Sequence, residues 1–291
     1  MNEVKQRGGM VTVHATNGDM IDFLIAKNRA EGNLAPIYHY LSQPEITEAE
    51  ASERFASIAG YTGCPGYIVH MTCEGALNAV RNNNRENQKV FAETCIQYLL
   101  LDASLYEQNF EGAKWVMSPP LREKKDQEAL WAGINQGLVQ VVATDHCPFT
   151  WEKKLLGIDD FSKIPNGHPA IEHRVELLYS EGVRKGRITA NKFVEVLATN
   201  PAKIFGMFPQ KGCIAPGSDA DIVLFDPNHE HTISAATHHM NTDYSAYEGW
   251  KLTGKTKTVL LRGQVVIDDG KCLVEKGNGK YIKRNKVSQL I

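Results

Sequence analysis

Gln140-Val141-Val142-Ala143-Thr144-Asp145-His146-Cys147-Pro148-Phe149 is a short apolar run that delivers a carboxylate and an imidazole at its end, then stops at a proline. A nearly uninterrupted β-branched run of this length suits a strand covered on both faces. The same form recurs upstream. Met10-Val11-Thr12-Val13 runs into His14, Gly66-Tyr67-Ile68-Val69 into His70, and Val90-Phe91-Ala92 into Glu93-Thr94-Cys95. Amphipathic segments separate these runs, which is the rhythm of βα units around a parallel sheet. In a parallel α/β barrel the C-terminal strand ends converge on one face, so a ligand-type residue there says more than the same residue in a loop. Taken singly, a histidine at a strand end is an ordinary hydrogen-bonded residue, and Asp145 reads as a helix N-cap. Three such placements in one chain form a pattern, and the donor set His14, His70 and Asp145 suits zinc.

The segments between and after these runs carry helix and turn signals. Thr47, with Glu50 three residues on, reads as a capping box, and Phe55, Ile58 and Ala59 continue an apolar stripe. Ala76, Leu77 and Val80 form a second stripe, and Leu130, Trp131, Ile134 and Leu138 a third. Residues 166–207 read as helical through Ile171, Val175, Leu178, Val183, Phe193, Val196 and Leu197. The texture changes after Pro209. Residues 214–226 read as a turn feeding a strand that ends at Asp226-Pro227, and residues 256–271 as a hairpin with Asp269-Gly270 in its turn. The expected organisation is a partial α/β barrel over residues 1–208, holding the metal and substrate site, and a small β domain with a C-terminal tail over 209–291.

Composition narrows the class of function. The 291 residues carry 32 Lys+Arg against 34 Asp+Glu, a net charge of -2, with 42% hydrophobic residues. Near-neutral charge leaves no electrostatic footprint for nucleic acid and no polybasic membrane anchor. No apolar run approaches the ~20 residues of a membrane span, and residues 1–9 lack the apolar core of a signal peptide. The six cysteines, at 64, 73, 95, 147, 213 and 272, include no Cys-x-x-Cys pair. They read as reduced thiols of a cytoplasmic protein rather than a disulfide framework.

The local words resemble one family. Val13-His14-Ala15-Thr16-Asn17-Gly18-Asp19, Ile68-Val69-His70-Met71-Thr72-Cys73-Glu74 and Thr144-Asp145-His146-Cys147-Pro148-Phe149 are similar to the dihydropyrimidinase/D-hydantoinase family of cyclic amidohydrolases. So are Glu93-Thr94-Cys95-Ile96-Gln97-Tyr98-Leu99, Ser118-Pro119-Pro120-Leu121-Arg122 and Ile164-Pro165-Asn166-Gly167. Thr199-Asn200-Pro201-Ala202-Lys203, Gly217-Ser218-Asp219-Ala220-Asp221 and Leu261-Arg262-Gly263 follow in the family's order. The resemblance covers essentially the whole chain. It implies the C-terminal half of a distorted TIM barrel plus a small C-terminal β-sandwich part. It also implies hydrolysis of the ring amide of dihydropyrimidines or hydantoins by a metal-activated water. By family pattern His14 and His70 bind one metal, and Asp145 binds the other and shuttles the proton. Main-chain groups at Ser118 and Asn166 hold the imide edge of the substrate ring. Complete members hold two zinc ions and are commonly tetramers, so self-association is a further implication.

The resemblance exposes a gap. The family pattern includes a His-x-His after the first barrel strand and a bridging lysine after the fourth, and this chain begins just before the strand that carries His14. Its own His229-Glu230-His231 lies after Asp226-Pro227 and reads as a solvated surface pair. One zinc or none is therefore expected here, with the chain's activity alone in question. A second reading is a non-catalytic, oligomer-forming relative that acts through protein–protein contact. Dihydroorotase or allantoinase is a third, which Cys147-Pro148-Phe149 with Asn166-Gly167 resembles less. Thr16 stands where the family commonly has Glu, and Ala170 where it has Gly, a loss that matters only if that position needs positive φ.

Overall fold

The computed structural model describes residues 1–83 and 90–286. Four short strands, β1 (Val11–Val13), β2 (Gly66–Ile68), β3 (Val90–Cys95) and β4 (Val141–Ala143), form a sheet in the order β1-β2-β3-β4. All three pairings are parallel, with Val11 opposite Gly66, Gly66 opposite Val90 and Glu93 opposite Val141. Each crossover is helical, as parallel neighbours require. A first turn, α1 (Asn2–Gln6), precedes β1. Helices α2 (Gly18–Ala30), α3 (Ile37–Leu41) and α4 (Glu45–Thr62) join β1 to β2. Helix α5 (Glu74–Asn83) follows β2, α6 (Ile96–Leu100) and α7 (Lys124–Asn135) join β3 to β4, and α8 (Trp151–Lys154) follows β4.

The core lies where the apolar runs meet the helix stripes. Tyr67, Ile68, Val90, Ala92 and Val142 of the sheet are buried, as are Leu77 and Val80 of α5 and Leu130 and Ile134 of α7. Each Val, Leu or Ile among them contributes about 1.5–3 kcal/mol by leaving water. Helices α5 and α7 approach closely enough that a Cβ at Gly133 would lie 2.9 Å from Leu77 Cδ2. Helix α4 departs from the sequence reading. It starts at Glu45 after an extended Pro44, so Thr47 sits inside the first turn and its hydroxyl donates to the Pro44 carbonyl at 2.8 Å rather than capping. Its buried face is small, with Ala51, Ser52, Ala56 and Ala59, while Ile58 stays 48% exposed. The tight fit explains this: a Cβ at Gly66 of β2 would lie 2.6 Å from the Phe55 ring.

Helical structure does not begin at residue 166. Residues 166–173 are irregular, with Pro169 lacking an N–H, and α9 (Arg174–Leu178) opens the helical region. Ile171, expected in the buried stripe, is 57% exposed. Helices α10 (Ala190–Val194) and α11 (Asn200–Ile204) follow, with π-helical turns at Tyr179–Val183 and Glu195–Thr199. A second sheet then forms from β5 (Ile222–Thr232), β6 (Lys251–Leu261), β7 (Gln264–Asp268) and β8 (Lys271–Cys272), antiparallel throughout. Among the described residues the β part is this one sheet. β5 continues through Pro227, past the end expected at 226–227, with irregular register on either side. That is tolerable because β5 is an edge strand. Two tight turns join the later strands, and in each both central residues have positive φ: Arg262 (51°) with Gly263 (80°), and Asp269 (44°) with Gly270 (78°).

The compact units divide the chain differently from a linear boundary at 208/209. One comprises Met1–Arg174 with Ile233–Trp250, the other Val175–Thr232 with Lys251–Ile291. The first holds the whole parallel sheet and the second the whole antiparallel one. Among the described residues no helix is long and apolar enough to cross a membrane. All six cysteines are free thiols.

Candidate active site at the parallel strand ends

The ends of the four parallel strands carry the chemistry. His14 follows β1 directly, His70 lies two residues beyond β2, and Asp145 two beyond β4. His70 (φ 42°) and Asp145 (φ 46°) both adopt the left-handed conformation that non-glycine residues rarely take. Strain of this kind costs on the order of 1–3 kcal/mol per residue and persists where the surroundings hold it. At His70 the holders are visible. Its amide donates to Glu93 Oε1 at 3.3 Å, the Tyr67 hydroxyl donates to Glu93 Oε2 at 2.7 Å, and the next amide, Met71, donates to the Glu93 carbonyl at 2.7 Å.

The two strand-end imidazoles meet. His14 Nδ1 and His70 Nε2 lie 2.7 Å apart, within hydrogen-bond reach, with the rings edge-to-face and 4.6 Å between centroids. His14 Nε2 also pairs with the Thr16 hydroxyl at 2.8 Å. Burial lowers the affinity of His14 for a proton, opposed by the charges of Glu48 and Asp145. Burial, then the neighbouring His14, pushes His70 down to about 4, with Asp145 pulling the other way. Near neutral pH both rings are held neutral, the state in which imidazole is a metal ligand. Burial raises the Glu93 carboxyl above its ordinary range.

The sequence-predicted residues divide between this pair and an adjoining cavity. A cavity of about 260 Å³ is lined by His14 and Thr16 at one part of its wall and by Ser118 and Asn166 at another. Ser118 Oγ donates to Asn166 Oδ1 at 3.0 Å, so the two predicted substrate residues are in contact. Asp145 is exposed and acts on both histidines through its charge rather than a hydrogen bond. Ala170 has no positive φ, so the loss of glycine there brings no strain. Gly167 is the demanding position: a Cβ on it would lie 2.2 Å from the Cys147 carbonyl oxygen.

Several residues of the site carry no sequence signal. His39 and Gln43 line the cavity beside the apolar Ile21, Ile25 and Phe161. His39 Nε2 pairs with the Met117 carbonyl at 2.7 Å, and burial pushes its pKa down to about 4. Gln43 Nε2 donates to Ser118 Oγ at 3.2 Å. Behind them, Arg122 and Glu48 form an ion pair at 3.2 Å, with side chains 4% and 2% exposed. Arg122 also donates to the Gln43 carbonyl at 2.5 Å and to Thr72 Oγ1 at 2.9 Å, and Glu48 accepts from the Thr72 amide at 2.8 Å. His229-Glu230-His231 lies within β5, where His229 is exposed and His231 Nε2 pairs with Glu176 Oε2 at 3.0 Å.

The donor chemistry at the strand ends suits a divalent cation: two neutral imidazoles with converging nitrogens, and a buried His70 Nδ1 that has no hydrogen-bond partner among the described residues. The set is incomplete as it stands. Among the described residues, no group of three or more His, Cys, Asp or Glu side chains is arranged to hold a metal ion.

Comparison with known proteins gives a consistent result. The family model described as the amidohydrolase family matches residues 70–266. The D-hydantoinase of Geobacillus stearothermophilus is 48% identical over 289 residues, covering 99% of this chain and 61% of its own length. A crystal structure of D-hydantoinase superposes with a TM-score of 0.97 at 49% identity, covering 99% of this chain and 63% of that one. The dihydropyrimidinase of Brevibacillus agri NCHU1002 gives 0.96 at 47% identity, covering 98% and 62%. The chain thus spans about three-fifths of the length of the relatives it matches.

Proposed function

The chain belongs to the amidohydrolase family, and from that footing we propose that it serves the ring-opening hydrolysis of a cyclic amide of the hydantoin or dihydropyrimidine type. Its fold is the C-terminal half of a distorted TIM barrel with a small β part, so the strand-end face described above is where such a barrel does its chemistry. The observation that carries the reading is the contact of His14 with His70 at 2.7 Å, beside the charge of Asp145.

In this reading His14 and His70 hold a divalent cation, with zinc the best match to the donor set, and Asp145 contributes from the tip of β4. A cation held there would lower the pKa of water and polarise a carbonyl. Asp145 takes the proton of the attacking water and returns it to the departing ring nitrogen, so that the C–N bond breaks as the N–H bond forms. Main-chain groups at Ser118 and Asn166 hold the imide edge, and Ile21, Ile25 and Phe161 offer an apolar wall for a ring substituent. Two imidazoles and one carboxylate would supply donors for one cation or none rather than two. The free thiols support placement in the reducing cytoplasm, and self-association is part of the same proposal.

A second reading is a non-catalytic relative that acts by association with other proteins. One preparation separates the two. The protein is loaded with zinc, washed and analysed for metal, then assayed with dihydrouracil, hydantoin, dihydroorotate and allantoin. Retained zinc that is lost in His14→Ala, with turnover of hydantoin or dihydrouracil, is expected. No retained metal and no turnover favours the second reading, and dihydroorotate as sole substrate overturns the choice of substrate class.

A further inference from the structure

We infer that Lys154 is a positioning residue that ties the segment carrying Ser118 to the segment carrying Asn166. Its side chain is fully buried, and Nζ donates to the main-chain carbonyls of Val116 (2.9 Å), Pro165 (2.7 Å) and Gly167 (3.0 Å). An ammonium has three N–H donors and no acceptor, so three carbonyls satisfy it completely. Val116 stands two residues before Ser118, while Pro165 and Gly167 flank Asn166 on either side. One Nζ therefore fixes both walls of the cavity from behind.

Other contacts show that this junction has no slack. The Gly167 amide donates to the Val116 carbonyl at 3.0 Å, and Gly167 is pressed against the Cys147 carbonyl too tightly to carry a Cβ. The Lys154 ammonium lies 5.7 Å from the centre of the Phe149 ring. The titratable groups that face it are Cys147, His39 and His168, and burial lowers its pKa to about 7. Burying a lysine amine without partners is costly, and a methionine of similar length would leave the carbonyls of Pro165 and Gly167 without this donor. The residue reads the substrate only through Ser118 and Asn166, so its effect on a ligand rests on the proposed function, whereas the tie itself rests on the contacts alone.

The test has two arms. In Lys154→Met, amide hydrogen exchange at residues 116–118 and 166–168 should speed up together by about tenfold, the equivalent of one hydrogen bond to a charged donor. Exchange in β2 and β3 should be unchanged. In the same variant hydantoin should bind at least about tenfold more weakly by NMR titration, with KM rising more than kcat falls, and Lys154→Arg should recover part of both effects. Unchanged exchange, or a change confined to one of the two segments, overturns the inference. Failure of the unmodified protein to bind hydantoin sinks the proposed function but leaves the exchange arm able to decide. If neither variant folds, competitive acetylation of the unmodified protein decides. Lys154 should react more slowly than every exposed lysine, and hydantoin should slow it further. A Lys154 that reacts at the surface rate, or ignores a hydantoin that binds, overturns the tie.

Discussion

The inner and outer strands of the parallel sheet follow one sequence design and meet different fates. β2 and β3 lie between neighbours, and their ends deliver a buried His70 and a Glu93 carboxyl that accepts two hydrogen bonds. β1 and β4 each have one pairing partner among the described residues, and their ends deliver His14 and Asp145 to an exposed rim. The inner ends are thus built into the core, whereas the outer ends are groups offered to solvent or to a ligand. An unpaired edge is also a place where another chain can add. Stability should therefore be concentrated in the inner pair and ligand chemistry shared with the outer one.

Four measurements break or sharpen that contrast. The largest effect is expected behind β2. Arg122→Met leaves Glu48 as an uncompensated buried charge and should lower unfolding free energy by about 3–5 kcal/mol in urea. Ile68→Ala on β2 should cost about 2–5 kcal/mol, whereas Val11→Ala on partly exposed β1 should cost under about 1.5. Equal losses at these two positions would erase the distinction between inner and outer strands. Acid tests the inner histidine. His70 has a folded value of about 4 against 6.5 unfolded, so the unfolded chain takes up the proton first as pH falls. The stability it contributes is complete above pH 6.5, is lost between 6.5 and about 4, and levels off below. For chelator-treated protein the loss is on the order of 3 kcal/mol. A transition midpoint flat across that window would show that His70 is not held neutral. The smallest stability effect belongs to the outer rim. Asp145→Asn should change unfolding free energy by no more than about 0.5 kcal/mol while abolishing ring opening. A large destabilisation there would make Asp145 a structural residue.

Much of the fold was legible because the parallel strands are short apolar runs with few alternatives, and all four appear within a residue or two of their expected ends. His14 and His70 stood out in the sequence because each closes a short apolar run, whereas Ser118 and Asn166 entered only through the family resemblance, and the folded chain brings each pair into contact. The start of α4 was not, because Thr47 bonds backward to Pro44 and a capping motif reads the same whether or not the helix has already begun. The buried face of α4 was missed because the fit against β2 selects small side chains over Ile58, a matter of distance between elements rather than of periodicity. Pro227 misled because a proline that ends an inner strand is harmless on an edge.

From the linear chain alone came the alternation of strand and helix and the placing of imidazoles and a carboxylate at the strand tips, since both depend on neighbours in sequence. The folded chain alone decided that His14 and His70 touch, that Asp145 stays in solvent, and that Arg122 and Lys154 are buried. A charged side chain carries no local mark of burial. Whether it lies in water or in the core depends on partners 13 residues away, as with Lys154 and Gly167, or 74, as with Arg122 and Glu48. Only the closed structure brings them within hydrogen-bond reach.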